Sequence, residues 1–289
     1  MDFSVLIPTY NIATVVERAI RSAATQTLPP FEILVIDDCS TDGTPDVVRS
    51  LQREIPALRL LTTQTNGGPS VARNVGLGAA AGEWIALLDG DDAWKTERLE
   101  KMAEVIRTTD ADWIADNLIL LDVVVDKIVR IAPGSKDKIR RITALDLFQN
   151  DYDFNFSRPS WGILKPIYKR AFIGDHGLRY REDMRTGEDF TMCAEMLFSG
   201  AKAFLIADAY YIYTVPFTKS GNSPHSRSSH NFSKFMDVGK EQREKYRDQI
   251  DERLALAMDE RDSALTLIHQ SNVARGYEET ESTLSIFAT

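Results

Sequence analysis

Apolar positions in the first hundred residues form short unbroken runs, and between them apolar residues recur at helical spacing. Ser4–Ile7 is a largely apolar run broken by Pro8, which predicts a first strand ending there. Val15, Val16, Ala19, Ile20, Ala23 and Ala24 follow with the period of a helix. Phe31–Ile36 predicts a second strand running into Asp37 and Asp38. Thr44 then reads as an N-cap, with Pro45 at the first helical position and Val47, Val48 and Leu51 on one face. Leu58–Leu61 predicts a third strand, Ser70–Ala80 a helix and Trp84–Leu88 a fourth strand. Near-continuous apolar strands alternating with helices predict an α/β fold with a mostly parallel sheet flanked by helices.

Beyond Trp94 the rhythm changes. Thr96–Arg107 predicts a helix with Leu99, Met102, Ala103 and Ile106 inward. Asp112–Ile131 carries β-branched runs suited to strands, Ser160–Tyr168 reads as a further strand or edge segment, and Lys202–Val215 is apolar and tyrosine-rich. A helix with Met192, Ala194, Met196 and Leu197 follows Gly187-Glu188-Asp189. Residues 216–229 read as a loop, and from about Asn231 the pattern is charged and helical. This divides the chain into 1–92, 93–215 and a C-terminal helical extension at 216–289.

The candidate chemistry gathers where strands end. Trp84–Trp94 is an apolar run that stops abruptly in Asp89, Asp91 and Asp92. Like charges so close repel unless a cation neutralises them. Carboxylates select hard divalent ions, and magnesium is typically shared with phosphate oxygens. The competing reading is an acidic turn capping the next helix. Pro8, Tyr10, Asp37 and Asp38 occupy the ends of the first two strands, which in a parallel sheet lie along the same edge as Asp89. An aspartate there can accept the N–H of a pyrimidine, and Tyr10 can lie against its ring. Arg73 suits a phosphate oxygen, or an ordinary salt bridge. Neither a G-x-G-x-x-G after the first strand nor a G-x-x-x-x-G-K-[S/T] occurs, so a dinucleotide site is unexpected and a standard P-loop is excluded.

Glu188 and Asp189 read as an acid/base pair opening a helix, or as a capping pair. Trp161 offers an aromatic face on which a ligand can stack, with core packing as the alternative. His225 and Arg227 lie in a stretch suited to close over a diphosphate, or to serve as a connector. Lys127–Arg141 is locally basic, which suits anionic lipid headgroups or plain solvation.

The net charge of −9 argues against general nucleic-acid binding. Cys39 and Cys193 are too few for a disulfide framework, so a reducing cytoplasm is expected. The N-terminus lacks the features of a signal peptide, and no apolar stretch approaches a membrane span. Attachment at the inner face of the cell membrane and pairing into a homo-oligomer both stay open.

These motifs, in this order, resemble the inverting family 2 glycosyltransferases of GT-A fold. The matching text is S-V-L-I-P-T-Y-N at 4–11, E-I-L-V-I-D-D-C-S-T-D-G-T at 32–44, N-G-G-P-S-V-A-R-N-V-G at 66–76, L-L-D-G-D-D-A-W at 87–94 and G-E-D at 187–189. More loosely, the chain is similar to bacterial exopolysaccharide glucosyltransferases of the succinoglycan type. The resemblance implies that Pro8, Tyr10 and Asp38 line a uridine pocket, with Arg73 near the nucleotide. It makes Asp91 the ligand of a Mn²⁺ or Mg²⁺ ion, and Asp89 a ribose or metal contact. Asp189 becomes the catalytic base, with Glu188 as its rival. Residues 1–92 become the donor half and 93–215 the acceptor half. The implied reaction moves a hexose from a UDP-sugar to a polysaccharide or lipid-linked oligosaccharide. Two alternatives are a sugar nucleotidyltransferase, whose glycine-rich basic loop is replaced here by P-T-Y-N, and a non-catalytic nucleotide-sugar-binding subunit.

Overall fold

The computed structural model describes residues 1–122, 127–131, 138–151, 161–184, 186–215 and 232–274. In chain order the elements are β1 (Phe3–Thr9), α1 (Val16–Ala24), β2 (Glu32–Asp37), α2 (Thr44–Leu51), β3 (Leu58–Thr62), α3 (Pro69–Ala79) and β4 (Trp84–Leu87). They continue as β5 (Ala93–Trp94), α4 (Arg98–Thr108), β6 (Trp113–Asp122), β7 (Lys127–Ile131), β8 (Ile139–Ile142) and α5 (Ala144–Gln149). A 3₁₀ turn at Trp161–Ile163 leads to β9 (Ile167–Lys169), α6 (Arg170–Asp175), α7 (Glu188–Phe198), β10 (Ala203–Val215), α8 (Phe232–Lys245) and α9 (Glu252–Ala274).

Among the described residues, one sheet of ten strands has the order β3-β2-β1-β4-β9-β6-β10-β5, with β7 beside β6 and β8 beside β10. The expected parallel half is present: β3, β2, β1 and β4 are all parallel. The other half is mixed, because β9 is antiparallel to both β4 and β6 while β10 is parallel to β6. Ile33, Leu34, Val35 and Ile36 are all fully buried, so both faces of β2 are covered. That explains its unbroken apolar sequence; each such side chain contributes roughly 1.5–3 kcal/mol.

Two local expectations are corrected. Pro8 does not end β1, which continues through Thr9. Odd-numbered β1 residues bond toward β2, as Phe3 and Thr9 do, and even-numbered ones toward β4, as Leu6 does. Pro8 therefore turns its nitrogen toward β4 just where that pairing stops, and its missing N–H breaks no ladder bond. Ser160–Tyr168 is neither one strand nor an edge. Within its described part, a 3₁₀ turn precedes β9, which sits between β4 and β6.

The helices α8 and α9 pack on the body through α7 and α5. Arg261 of α9 is buried with its Nε donating to Asp151 Oδ2 at 2.6 Å, and its guanidinium lies 4.0 and 4.2 Å from the ring centres of Phe190 and Phe235. Among the described residues no helix is long and apolar enough to cross a membrane.

Candidate active site

The parallel strands β1, β2 and β4 deliver their C-terminal ends to one edge, and the chain continues from each into a polar turn. After β1, Asn11 takes a left-handed conformation (φ 51°), and its Oδ1 accepts the Thr41 N–H at 2.8 Å. This ties the β1 turn, with half-buried Pro8 and Tyr10, to the turn after β2. In that second turn Asp38 is 2 % exposed. Its carboxylate accepts from Thr63 Oγ1 at 2.7 Å, Gly67 N at 3.0 Å and Gly68 N at 2.6 Å. Asp38 thus anchors the Asn66–Gly68 loop and keeps roughly one of its four acceptor directions in reserve.

The third strand end carries the three aspartates, and the fold gives each a different environment. Asp89 receives Arg73 Nη2 at 2.9 Å and Lys165 Nζ at 2.9 Å. Burial opposes its charge, but Lys165 and Arg73 outweigh burial and hold the carboxyl well below the usual range. Asp92 is buried, accepting from Tyr211 Oη at 2.7 Å and from Thr214 N at 2.7 Å. It ties β10 to the turn. Burial, then the charges of Asp91 and Asp89, push its carboxyl well up. Among the described residues no side chain donates to the Asp91 carboxylate, although Arg18 reaches the Asp91 carbonyl. Burial first, then the Asp89 charge, raises Asp91 as well. Gly90 is needed between them, since a Cβ there would collide with Ile12 and lie 3.0 Å from the Pro8 carbonyl oxygen.

The three aspartates therefore have different partners. The protein pairs Asp89 with two cations of its own and occupies Asp92 with hydrogen bonds. Among the described residues no group of three or more His, Cys, Asp or Glu is arranged to hold a metal. Among the three aspartates, Asp91 is the one whose carboxylate no described side chain bonds, and the Asp89 charge lies beside it. That fits a divalent ion held by this residue and by phosphate oxygens, and does not fit an all-protein cage.

The second acidic motif meets the first. Gly187 adopts φ 77° as the N-cap of α7, and a Cβ there would lie 2.5 Å from the Phe235 ring. The turn places Glu188 and Asp189 at the helix start. Arg73 Nη1 donates to Glu188 Oε1 at 2.8 Å and lies 3.4 Å from Asp189 Oδ1. Lys165 Nζ bonds Asp189 Oδ2 as well as Asp89. Arg73, Lys165 and Asp189 are each at most 5 % exposed. Arg73, Asp89, Glu188 and Asp189 are thus brought into one cluster next to Asp91.

Trp161 is not bonded into this cluster. It is half-buried, its backbone N–H donates to Asn150 O at 2.8 Å, and Arg140 lies 5.9 Å from its ring centre. Its 3₁₀ turn does pack against α7. His225 and Arg227 lie outside the described residues, as does 132–137 of the basic stretch. Sequence reasoning missed Lys165, Arg18, Tyr211 and Thr214. For Lys165 a signal existed: a lone lysine in the apolar context I-L-K-P-I-Y is a charge that must be paired when buried.

A mixed sheet flanked by helices, with two acidic motifs meeting at its edge, is the GT-A architecture of nucleotide-sugar-dependent transferases. The Glycosyl transferase family 2 model matches residues 4–169, and the chain belongs to that family. It is 34 % identical over 214 residues to the succinoglycan biosynthesis protein ExoO of Rhizobium meliloti (strain 1021), covering 74 % of this chain and 61 % of the relative. It is 32 % identical over 219 residues to ExoU of the same organism, covering 74 % and 62 %. The chain thus spans about three fifths of the length of these relatives. The crystal structure of S. aureus TarS 1-349 superposes with a TM-score of 0.64 at 26 % identity, covering 84 % of this chain and 64 % of that one. The complex of TarS 1-349 with UDP-GlcNAc gives a TM-score of 0.67 at 23 % identity over 98 % and 75 %, a likeness of fold.

Proposed function

We propose that this protein is an inverting glycosyltransferase that moves a hexose from a UDP-sugar to a saccharide hydroxyl during assembly of a polysaccharide or lipid-linked oligosaccharide. The observation that carries the reading is the junction of the two acidic motifs. Arg73 and Lys165 join Asp89 to Glu188 and Asp189 beside the open carboxylate of Asp91. The reading makes the first motif the leaving-group site and the second the base, side by side. The TarS complexes with UDP and with UDP-GlcNAc, and the names of ExoO and ExoU, support the donor class and the acceptor class.

In this reading Tyr10 and Pro8 hold the uracil and Asp38 uses its remaining acceptor direction for the ring N–H. Asp89 faces the ribose. Asp91 would hold a Mn²⁺ or Mg²⁺ ion, which supplies Lewis-acid compensation for the diphosphate charge when bound. Asp189 takes the proton of the acceptor hydroxyl as its oxygen forms the new bond to the anomeric carbon. The bond from that carbon to the phosphate oxygen breaks, and its electron pair leaves with UDP. One displacement inverts the centre. Glu188, paired with Arg73, steadies the guanidinium. Trp161 stacks on the acceptor.

The test is incubation of the full chain with a panel of UDP-hexoses and Mn²⁺, reading UDP release with and without saccharide acceptors. Asp189→Asn should cut transfer by about a hundredfold or more while UDP-sugar affinity is unchanged or tighter. Loss of donor binding in that variant, or full transfer, would refute the assignment.

A further inference from the structure

Lys165 is a buried charge that neither acidic motif contains, yet it touches both. Its ammonium lies 2.9 Å from Asp89 Oδ2 and bonds Asp189 Oδ2. Asp189 consequently has no oxygen that is both accessible and unpaired. Oδ2 is bonded by Lys165, and Oδ1, which has no hydrogen-bond partner, is buried 3.4 Å from Arg73 Nη1. A general base must present an acceptor lone pair within hydrogen-bond reach of its substrate. As it stands, the cluster is a locked form of the site.

The lock is placed to open by side-chain motion alone. The Lys165 backbone is pinned, since Arg98 Nη2 donates to its carbonyl at 2.7 Å. Arg98 itself is held by Asp116 and lies 4.6 and 5.1 Å from the ring centres of Trp94 and Tyr211. The ammonium, by contrast, is a point charge on a flexible stem. A diphosphate arriving beside Asp91 carries more negative charge than one carboxylate and competes for it. Arg73 keeps its own contacts to Asp89, Glu188 and Asp189, so the cluster retains one cation when Lys165 leaves.

We propose that Lys165 is a donor-operated latch: its ammonium pairs with Asp189 in the donor-free enzyme and transfers to the diphosphate oxygens when the nucleotide binds, freeing Asp189 Oδ2 for the acceptor proton. The inference rests on the nucleotide-sugar reading given above. No covalent bond changes in the exchange. It requires the donor to bind before the acceptor is activated, and it assigns Lys165 to binding of the leaving group.

The experiment compares the wild-type chain with Lys165→Met and Lys165→Arg by calorimetric titration with UDP and with uridine, each with excess MnCl₂. The latch predicts that UDP affinity falls about tenfold or more in Lys165→Met, as for loss of a charge-assisted bond. Uridine, which has no phosphate, should change less than about twofold, and Lys165→Arg should recover most of the UDP affinity. Equal losses for both ligands mark a merely structural lysine and overturn the proposal, as does unchanged UDP binding. Should Lys165→Met fail to fold, a crystal of the wild type with UDP and Mn²⁺ decides. Nζ at about 3 Å from a phosphate oxygen and released from Asp189 supports the latch; Nζ still on Asp189 overturns it. A wild type that binds no UDP removes the donor reading itself, an outcome distinct from a binder whose variants ignore the phosphates.

Discussion

Replacing Gly187 with alanine strikes the point where backbone conformation sets the candidate base. The residue sits at φ 77°, where an L-residue with a Cβ costs about 1–2 kcal/mol. The new methyl would also lie 2.5 Å from the Phe235 ring. That ring has little room to retreat, being 2 % exposed, 4.2 Å from the Arg261 guanidinium and 5.7 Å from the Phe190 ring centre. Overpacking of this kind adds about 1–3 kcal/mol. Gly187→Ala should therefore destabilise the protein by roughly 2–5 kcal/mol in urea unfolding. The two contributions separate in a Phe235→Ala background, where the ring is gone and only the backbone share of about 1–2 kcal/mol should remain. Turnover, corrected for the folded fraction, should also fall about tenfold or more, because Glu188 and Asp189 start the displaced helix. A loss below about 0.5 kcal/mol, or one of equal size in both backgrounds, would refute the reasoning.

The neighbouring aspartates should respond oppositely. Asp91→Asn should abolish turnover and remove the Mn²⁺ dependence of UDP binding, measured by titration, with little change in stability; a fully active variant with an unaltered metal response would exclude Asp91 as ligand. Asp92→Asn should keep the metal response but lose about 1–3 kcal/mol in denaturant melts, because Tyr211 donates to one carboxylate oxygen and Thr214 N to the other, and an amide replaces one of those oxygens with a donor NH2. At Glu195, burial raises the carboxyl, but bonds from Lys245, Tyr246 and Gln242 together outweigh it and hold the carboxyl below its ordinary value. A depressed folded value contributes stability above the unfolded value that is lost as pH falls through the folded one. The stability gap between wild type and Glu195→Gln should therefore be full above about pH 5 and shrink below about pH 4, and a gap independent of pH would contradict the pairing. Cys193, whose thiol burial pushes up to about 12, should resist alkylation in the native protein and react only on unfolding.

Much of what the fold gathers at the candidate site was legible because its signals are local. The runs that became β1, β2 and β4 end in Pro8-Thr9-Tyr10, Asp37-Asp38 and Asp89-Gly90-Asp91, and a parallel sheet lines such ends up wherever its helices pack. Gly187-Glu188-Asp189 announced a helix start by the same local logic, and α7 begins there. Pro8 misled because its effect on a strand depends on which neighbour its nitrogen faces, and only the pairing of β1 with β4 decides that.

The sequence by itself determined the alternation of buried strands and helices, the acidic motifs and the family they mark. These follow from periodicity and spacing within a few tens of residues. Tertiary structure alone decided how the aspartates divide their work. Asp92 is claimed by Tyr211, 119 positions along the chain, and Arg73 by Glu188, 115 positions away. Lys165 enters the cluster because β9 inserts antiparallel beside β4. Identical carboxylates differ only in the charges and donors that folding brings to them, and those partners come from distant segments whose meeting no local pattern encodes.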